Sequence, residues 1–263
     1  MKPRLFLFQA ALLALQAPPL HAAISYATYG STLTENFNTL SFASGTHPWA
    51  DNSTIPGWYA ATRLPAPSTP FSEYTASSGG TAAAGAIQSL GPSGNTDRAL
   101  GSQNPNSVTS AISYGMSISN DTAGVISGFS LQYAGEQWRA ISNEIADGIT
   151  FDYQIFAAGT GTLDAASGWS SVSALTFTAP VTVTSSASVN GNTTGRVALA
   201  SDVTGITWGQ GQELWLRWSD NSSGGNRRAA VGIDDVSFTA IPEPTAAALG
   251  GLAALLLLGR RRS

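Results

Sequence analysis

Val108-Thr109-Ser110-Ala111-Ile112-Ser113-Tyr114-Gly115-Met116-Ser117-Ile118 sets Val108, Ile112, Tyr114, Met116 and Ile118 on one side of an extended chain. Thr109, Ala111, Ser113, Gly115 and Ser117 fall on the other. Successive side chains of extended backbone point to opposite sides, so this period of two marks a strand with one buried face. The pattern recurs outward from it: Phe129, Leu131 and Tyr133; Ile149, Phe151, Tyr153 and Ile155; Leu214, Leu216 and Trp218. Shorter runs are Leu175 with Phe177, Val181 with Val183, and Val236 with Phe238. Turn-forming clusters separate them at Ser119-Asn120-Asp121, Gly159-Thr160-Gly161, Asn190-Gly191-Asn192 and Asp220 to Asn226. No helical period and no strong repeat appears in the body. The expectation is one all-β domain, a two-sheet antiparallel β-sandwich of jelly-roll type with about eight to eleven short strands. The proline-rich Leu64 to Pro70 and the small-residue stretch Thr75 to Asn95 read as a long surface connection.

Charge narrows the function classes. From Ile24 to Ile241 there are seven arginines, no lysine and fifteen carboxylates, a formal charge of −8. Such a surface does not seek nucleic acid. The chain has no cysteine, which removes disulfides, thiol nucleophiles and thiolate metal sites. His47 is the sole histidine of the body, so a multi-histidine zinc site is impossible and a Ser-His-Asp triad would have to use His47, which beside Pro48-Trp49 reads as a loop residue rather than a catalytic base.

The termini give the compartment. Met1-Lys2-Pro3-Arg4, the apolar Leu5 to Leu15 and the small residues around Ala22-Ala23 have the order of a secretory signal peptide, residues 1–23. At the far end, 241–263, Pro242-Glu243-Pro244 precedes an apolar run from Ala246 to Leu258 and then Arg260-Arg261-Arg262. As a helix Thr245 to Gly259 reaches roughly 22 Å, a short transmembrane segment whose arginines would stay on the cytoplasmic side. The body between them is 24–240.

The Pro242-Glu243-Pro244 triplet, the short apolar segment and the terminal arginines resemble the PEP-CTERM sorting signal of Gram-negative bacteria. The resemblance implies processing by a signal peptidase and by exosortase, passage through the cytoplasmic membrane, and an association with exopolysaccharide. Gly135-Glu136-Gln137-Trp138-Arg139, Leu214 to Asp220 and Ile233-Asp234-Asp235-Val236 are similar to jelly-roll modules of bacterial surface proteins, some related in shape to carbohydrate-binding modules.

Three sets of residues are candidates for chemistry. In Val231 to Phe238 the hydrophobic phase switches across Asp234-Asp235, which predicts a bulge. First and last strands commonly adjoin in a jelly roll, so Glu35 could approach Asp234 and Asp235 and the three could hold calcium. Alternatively Arg217, Arg227 or Arg228 neutralises the aspartates, or they face water. Glu136 and Glu144, in a stretch read as loop, are the nearest pair for a glycosidase. Trp138 and Trp215 either stack on sugar rings or pack under loops. These readings rank a structural or adhesive, non-catalytic envelope protein first, a calcium-stabilised carbohydrate-binding module second and a carboxylate-dependent glycoside hydrolase third. No cofactor is required beyond a possible structural Ca2+.

Overall fold

The computed structural model describes residues 23–64, 68–80, 85–104, 111–142, 147–221 and 229–243. The leader, the apolar tail, Pro244, Arg260, Arg261, Arg262, Val108, Glu144, Arg227 and Arg228 lie outside the described residues. No helix among the described residues is long and apolar enough to cross a membrane.

The strands are β1 (Ile24–Tyr26), β2 (Thr32–Glu35), β3 (Gly45–Pro48), β4 (Trp58–Leu64), β5 (Thr69–Pro70) and β6 (Glu73–Ser77). There follow β7 (Ala86–Leu90), β8 (Ala99–Gln103), β9 (Ala111–Asn120), β10 (Ile126–Ala140), β11 (Gly148–Phe156) and β12 (Ser170–Ser171). The last are β13 (Phe177–Thr178), β14 (Ala187–Ser188), β15 (Arg196–Trp208), β16 (Glu213–Asn221) and β17 (Ala230–Pro242). One sheet runs β12-β11-β16-β9-β4-β5, with β1 on β9 and β13 on β11. The other runs β14-β10-β17-β8-β7-β6-β3, with β15 on β10 and β2 on β17.

The expected faces meet in the core. Ile112, Tyr114, Met116 and Ile118 of β9 and Leu214, Leu216 and Trp218 of β16 pack against Phe129, Leu131 and Tyr133 of β10. Trp218 is the hub: its ring stacks on Trp58 at 5.6 Å and meets Tyr133 and Phe151 at 5.6 and 5.1 Å. The bulge is present. Register jumps from Gln132↔Ser237 to Ala134↔Asp234, and Asp235 takes a φ of 48°. The extra residue rephases β17, so Val231 and Ile233 before it and Val236 and Phe238 after it all face the core.

Four expectations are corrected. The stretch from Thr75 to Asn95, read as a surface connection, supplies the end of β6 and all of β7, whose Ile87, Gln88, Ser89 and Leu90 are buried within the second sheet. The sheets are mixed, because β1 pairs β9 and β6 pairs β7 in parallel. Val181 and Val183 form no strand. Instead the Gln137 amide bonds both the N–H and the C=O of Val181 at 2.8 Å, and the preceding Pro180 brings no N–H to a ladder. Glu136 and Trp138 lie within β10 rather than in a loop.

Candidate functional site

Alternation in β10 sends Glu136 and Trp138 to the outer face of the second sheet, opposite Tyr133. Both are buried there. Trp138 packs with Leu90, Ala99 and Ala230. The turn at Gly191 lies so close over its ring that a Cβ there would stand 2.2 Å from it. The indole N–H donates to Glu136 Oε2 at 2.9 Å. Glu136 Oε1 receives Arg196 Nη1 at 2.5 Å, and the same nitrogen lies 3.7 Å from Asp234 Oδ2. Arg196 Nη2 reaches Asp235 Oδ2 at 2.5 Å. Three carboxylates singled out by sequence thus converge, but on Arg196, which faces Glu136 from β15, and Trp138 joins them through Glu136.

The cation seen at the aspartates is the Arg196 guanidinium; of the arginines the sequence offered, Arg217 pairs with Asp152 instead, and Arg227 and Arg228 lie outside the described residues. Burial, then the neighbouring Glu136, pushes Asp234 up to about 8. Burial also raises Glu136, against the pull of the Trp138 N–H and Arg196.

The trio expected to share calcium is divided. β2 does lie beside β17, with Glu35 opposite Val236. Glu35 Oε1, however, accepts the Phe37 N–H at 2.7 Å and so holds its own turn, where Phe37 has a φ of 55°. Glu35 and Asp235 line one polar groove of about 510 Å³, which Asp234 does not reach. Among the described residues no three of His, Asp or Glu are grouped to hold a metal ion.

Trp215 points away from Leu214 and Leu216 as expected, yet it is 1% exposed. The loop after β11 covers it: Leu163 lies over the ring beside Tyr59, and a Cβ on Gly161 would sit 2.0 Å from its Nε1. Its N–H donates to Glu213 Oε2 at 3.0 Å, repeating the Glu136–Trp138 pairing on the other sheet. A Glu-x-Trp spacing on a strand puts both side chains on one face, and each outer face is then clad by a loop. Neither Trp138 nor Trp215 offers a ring to a sugar.

Phe42 does, at 46% exposed. It forms the lip of an open trough of about 720 Å³, with Ser44, Ser77, Ser78 and Ser93 on the walls and Arg98 in the floor. Sequence reading missed it because an isolated exposed Phe in a loop has no periodicity to mark it. The trough is held from below. Tyr74 Oη accepts the Ser41 N–H at 2.9 Å, and Ser89 Oγ donates to Ser41 O at 2.9 Å. Arg98 donates through Nε to Ser89 Oγ at 2.8 Å and through Nη2 to Ser77 O at 3.1 Å. Nη1 reaches Pro92 O at 3.3 Å, so one side chain ties the end of β6 to the turn after β7. At Gly91 a Cβ would lie 2.3 Å from the Asp97 carbonyl oxygen and 2.5 Å from that Nη1, which is why the turn carries glycine there.

No protein-family model matches the sequence, and no curated protein matches it either. Solved structures give distant likenesses. One is the N-terminal CBM22-1–CBM22-2 tandem domain of Paenibacillus barcinonensis Xyn10C, with 10% identity, a TM-score of 0.36, and 82% of this chain against 47% of that one. A second is the enzymatically active domain of bacteriophage CBA120 tailspike protein 4, with 12% identity, a TM-score of 0.36, and 78% against 22%. A third is the K1 cleaved adhesin domain of Lys-gingipain from Porphyromonas gingivalis, with 15% identity, a TM-score of 0.33, and 80% against 99%. This chain thus spans less than half of the first two. Scores of that size carry no argument about function, which rests on the geometry above.

Proposed function

We propose that this chain is an exported envelope or extracellular-matrix protein whose β-sandwich binds polysaccharide without turning it over. The observation that carries the binding is the Phe42 trough: an exposed ring beside serine hydroxyls, on a floor tied to the second sheet. A sugar presents one apolar face and several hydroxyls, and these match an aromatic lip and a hydroxyl wall. Glu136, the carboxylate closest to a catalytic reading, is buried and committed to Trp138 and Arg196. The leader and the Pro242-Glu243-Pro244 tail support export and exosortase processing.

Screening the purified chain on a glycan array tests the binding. Phe42→Ala is expected to weaken binding by about tenfold with the fold unchanged, the loss of one stacking contact. Retained affinity in that variant would remove the trough from the reading. Cell fractionation with mass spectrometry of both termini tests the sorting: the expected species lacks residues 1–23 and is cut near Pro242. An intact precursor in the cytoplasm would defeat it.

A further inference from the structure

We infer that the Phe42 trough selects acidic polysaccharide, its ligand carrying carboxylate or sulfate groups; this rests on the trough being the binding surface. The inference comes from where unpaired positive charge lies in an acidic protein. Among the described residues the ion pairs are made by Arg196 and Arg217, to Glu136, Asp234, Asp235 and Asp152. Arg98 and Arg139 make none with the described residues, and both converge on the segment that ends β6. Arg98 is 2% exposed in the trough floor, and the acceptors it meets are neutral oxygens of Ser77, Ser89 and Pro92. Arg139 Nη1 donates to Gly79 O at 3.2 Å and also to Gly80 O, and Gly80 lines the trough.

Neutral acceptors satisfy a guanidinium's N–H groups without cancelling its charge. In a partly desolvated floor that charge is screened less than at an open surface. The Arg98 pKa, lowered to about 10 chiefly by burial, fits a cation with weak compensation that is still protonated at neutral pH. Asp97, the carboxylate whose field reaches it, is turned to Asn192 Nδ2 at 2.5 Å. No acidic side chain lines the trough among the described residues. Arg98 in the floor, and Arg139 bonded to the lining Gly80, carry positive charge that no ion pair with the described residues neutralises; it opposes the overall acidity and favours an anionic chain along the groove. Phe42 supplies the stacking lip, and the serines pair with sugar hydroxyls.

The test compares soluble polygalacturonate with dextran, a neutral polymer, against the full chain by isothermal titration calorimetry. Polygalacturonate is expected to bind about tenfold tighter at low salt, and the advantage is expected to shrink at roughly 0.5 M NaCl as screening sets in. Arg98→Gln threatens the fold, because it unties β6 from the turn after β7, so Arg139→Gln is the informative variant. It is expected to lose about fivefold in polygalacturonate affinity with an unchanged circular dichroism spectrum, and Arg139→Lys to recover part of it. Equal affinity for the two polymers, or polygalacturonate binding indifferent to both salt and Arg139→Gln, overturns the charge selection and leaves the trough as a neutral sugar site. Binding to dextran alone has the same consequence. Binding to neither polymer overturns the selection together with the trough on which it rests.

Discussion

Between about pH 4 and pH 8 the unfolding free energy is expected to fall as pH rises, through two buried aspartates. Asp234 is pushed up to about 8 by burial and Glu136. Asp220 is pushed up to about 8 by burial and Asp147, against the pull of Ser102 and Asn104. In the unfolded chain both titrate near the ordinary carboxylate value of 3.8. Between those limits the folded state holds a proton that the unfolded state has released. Unfolding therefore releases protons, and rising pH favours it. The contribution is fully present below the unfolded value, is lost as pH climbs towards 8, and has no slope beyond. Each group supplies about 1.4 kcal/mol per pH unit within the window, or roughly 3–6 °C of melting temperature per unit. Calorimetry at about pH 5 and about pH 8 checks this against Asp220→Asn and Asp234→Asn. The amide at 220 can still pair with Ser102 Oγ and Asn104 Nδ2, which now lie 2.7 Å from the carboxylate oxygens. The double variant is expected to lose most of the downward slope, keeping only the part that the raised Glu136 and Glu35 supply. Parallel profiles for wild type and double variant would show that neither aspartate holds its proton.

The core was legible because period-two alternation in β9, β10, β11 and β16 is set by burial of one face, and nothing in the tertiary structure competes with it. The bulge was legible for a related reason: Val231 and Ile233 are out of phase with Val236 and Phe238, and only an inserted residue lets all four face inward. The outer faces were not legible. A polar or aromatic residue on the non-core face reads as exposed, whereas the loops at Gly161 and Gly191 cover Trp215 and Trp138. Cladding loops come from distant sequence, so no local pattern announces them. Arg196 escaped for the same reason, since its partner Glu136 lies across a strand pair and not along the chain. The two-residue strands β5, β12, β13 and β14 are shorter than any alternation can register.

Arg196→Met is the second large effect expected, a loss of about 3 kcal/mol near neutral pH. Removing one partner of a buried pair leaves the other charge without compensation, a cost of about 3–5 kcal/mol, and the lower end applies because Arg196 itself is partly exposed. Its side chain is 31% accessible, whereas those of Glu136 and Asp234 are 1% and 4%. Methionine keeps the apolar stem that lies along β15, so the difference reports charge rather than packing. Without the guanidinium the buried carboxylates recover stability by taking up protons, so the deficit is expected to shrink in acid and the slope below about pH 8 to steepen. Adding Glu136→Gln to Arg196→Met removes the stranded charge at its most buried point. That double variant is expected to regain most of the loss, because the new side-chain amide oxygen can still accept the Trp138 N–H in the place of Glu136 Oε2. Chemical denaturation of the single and double variants measures the coupling directly. Additive losses would mean that Arg196 acts only as surface cover over Glu136, and that the charges on the outer face of the second sheet are balanced elsewhere.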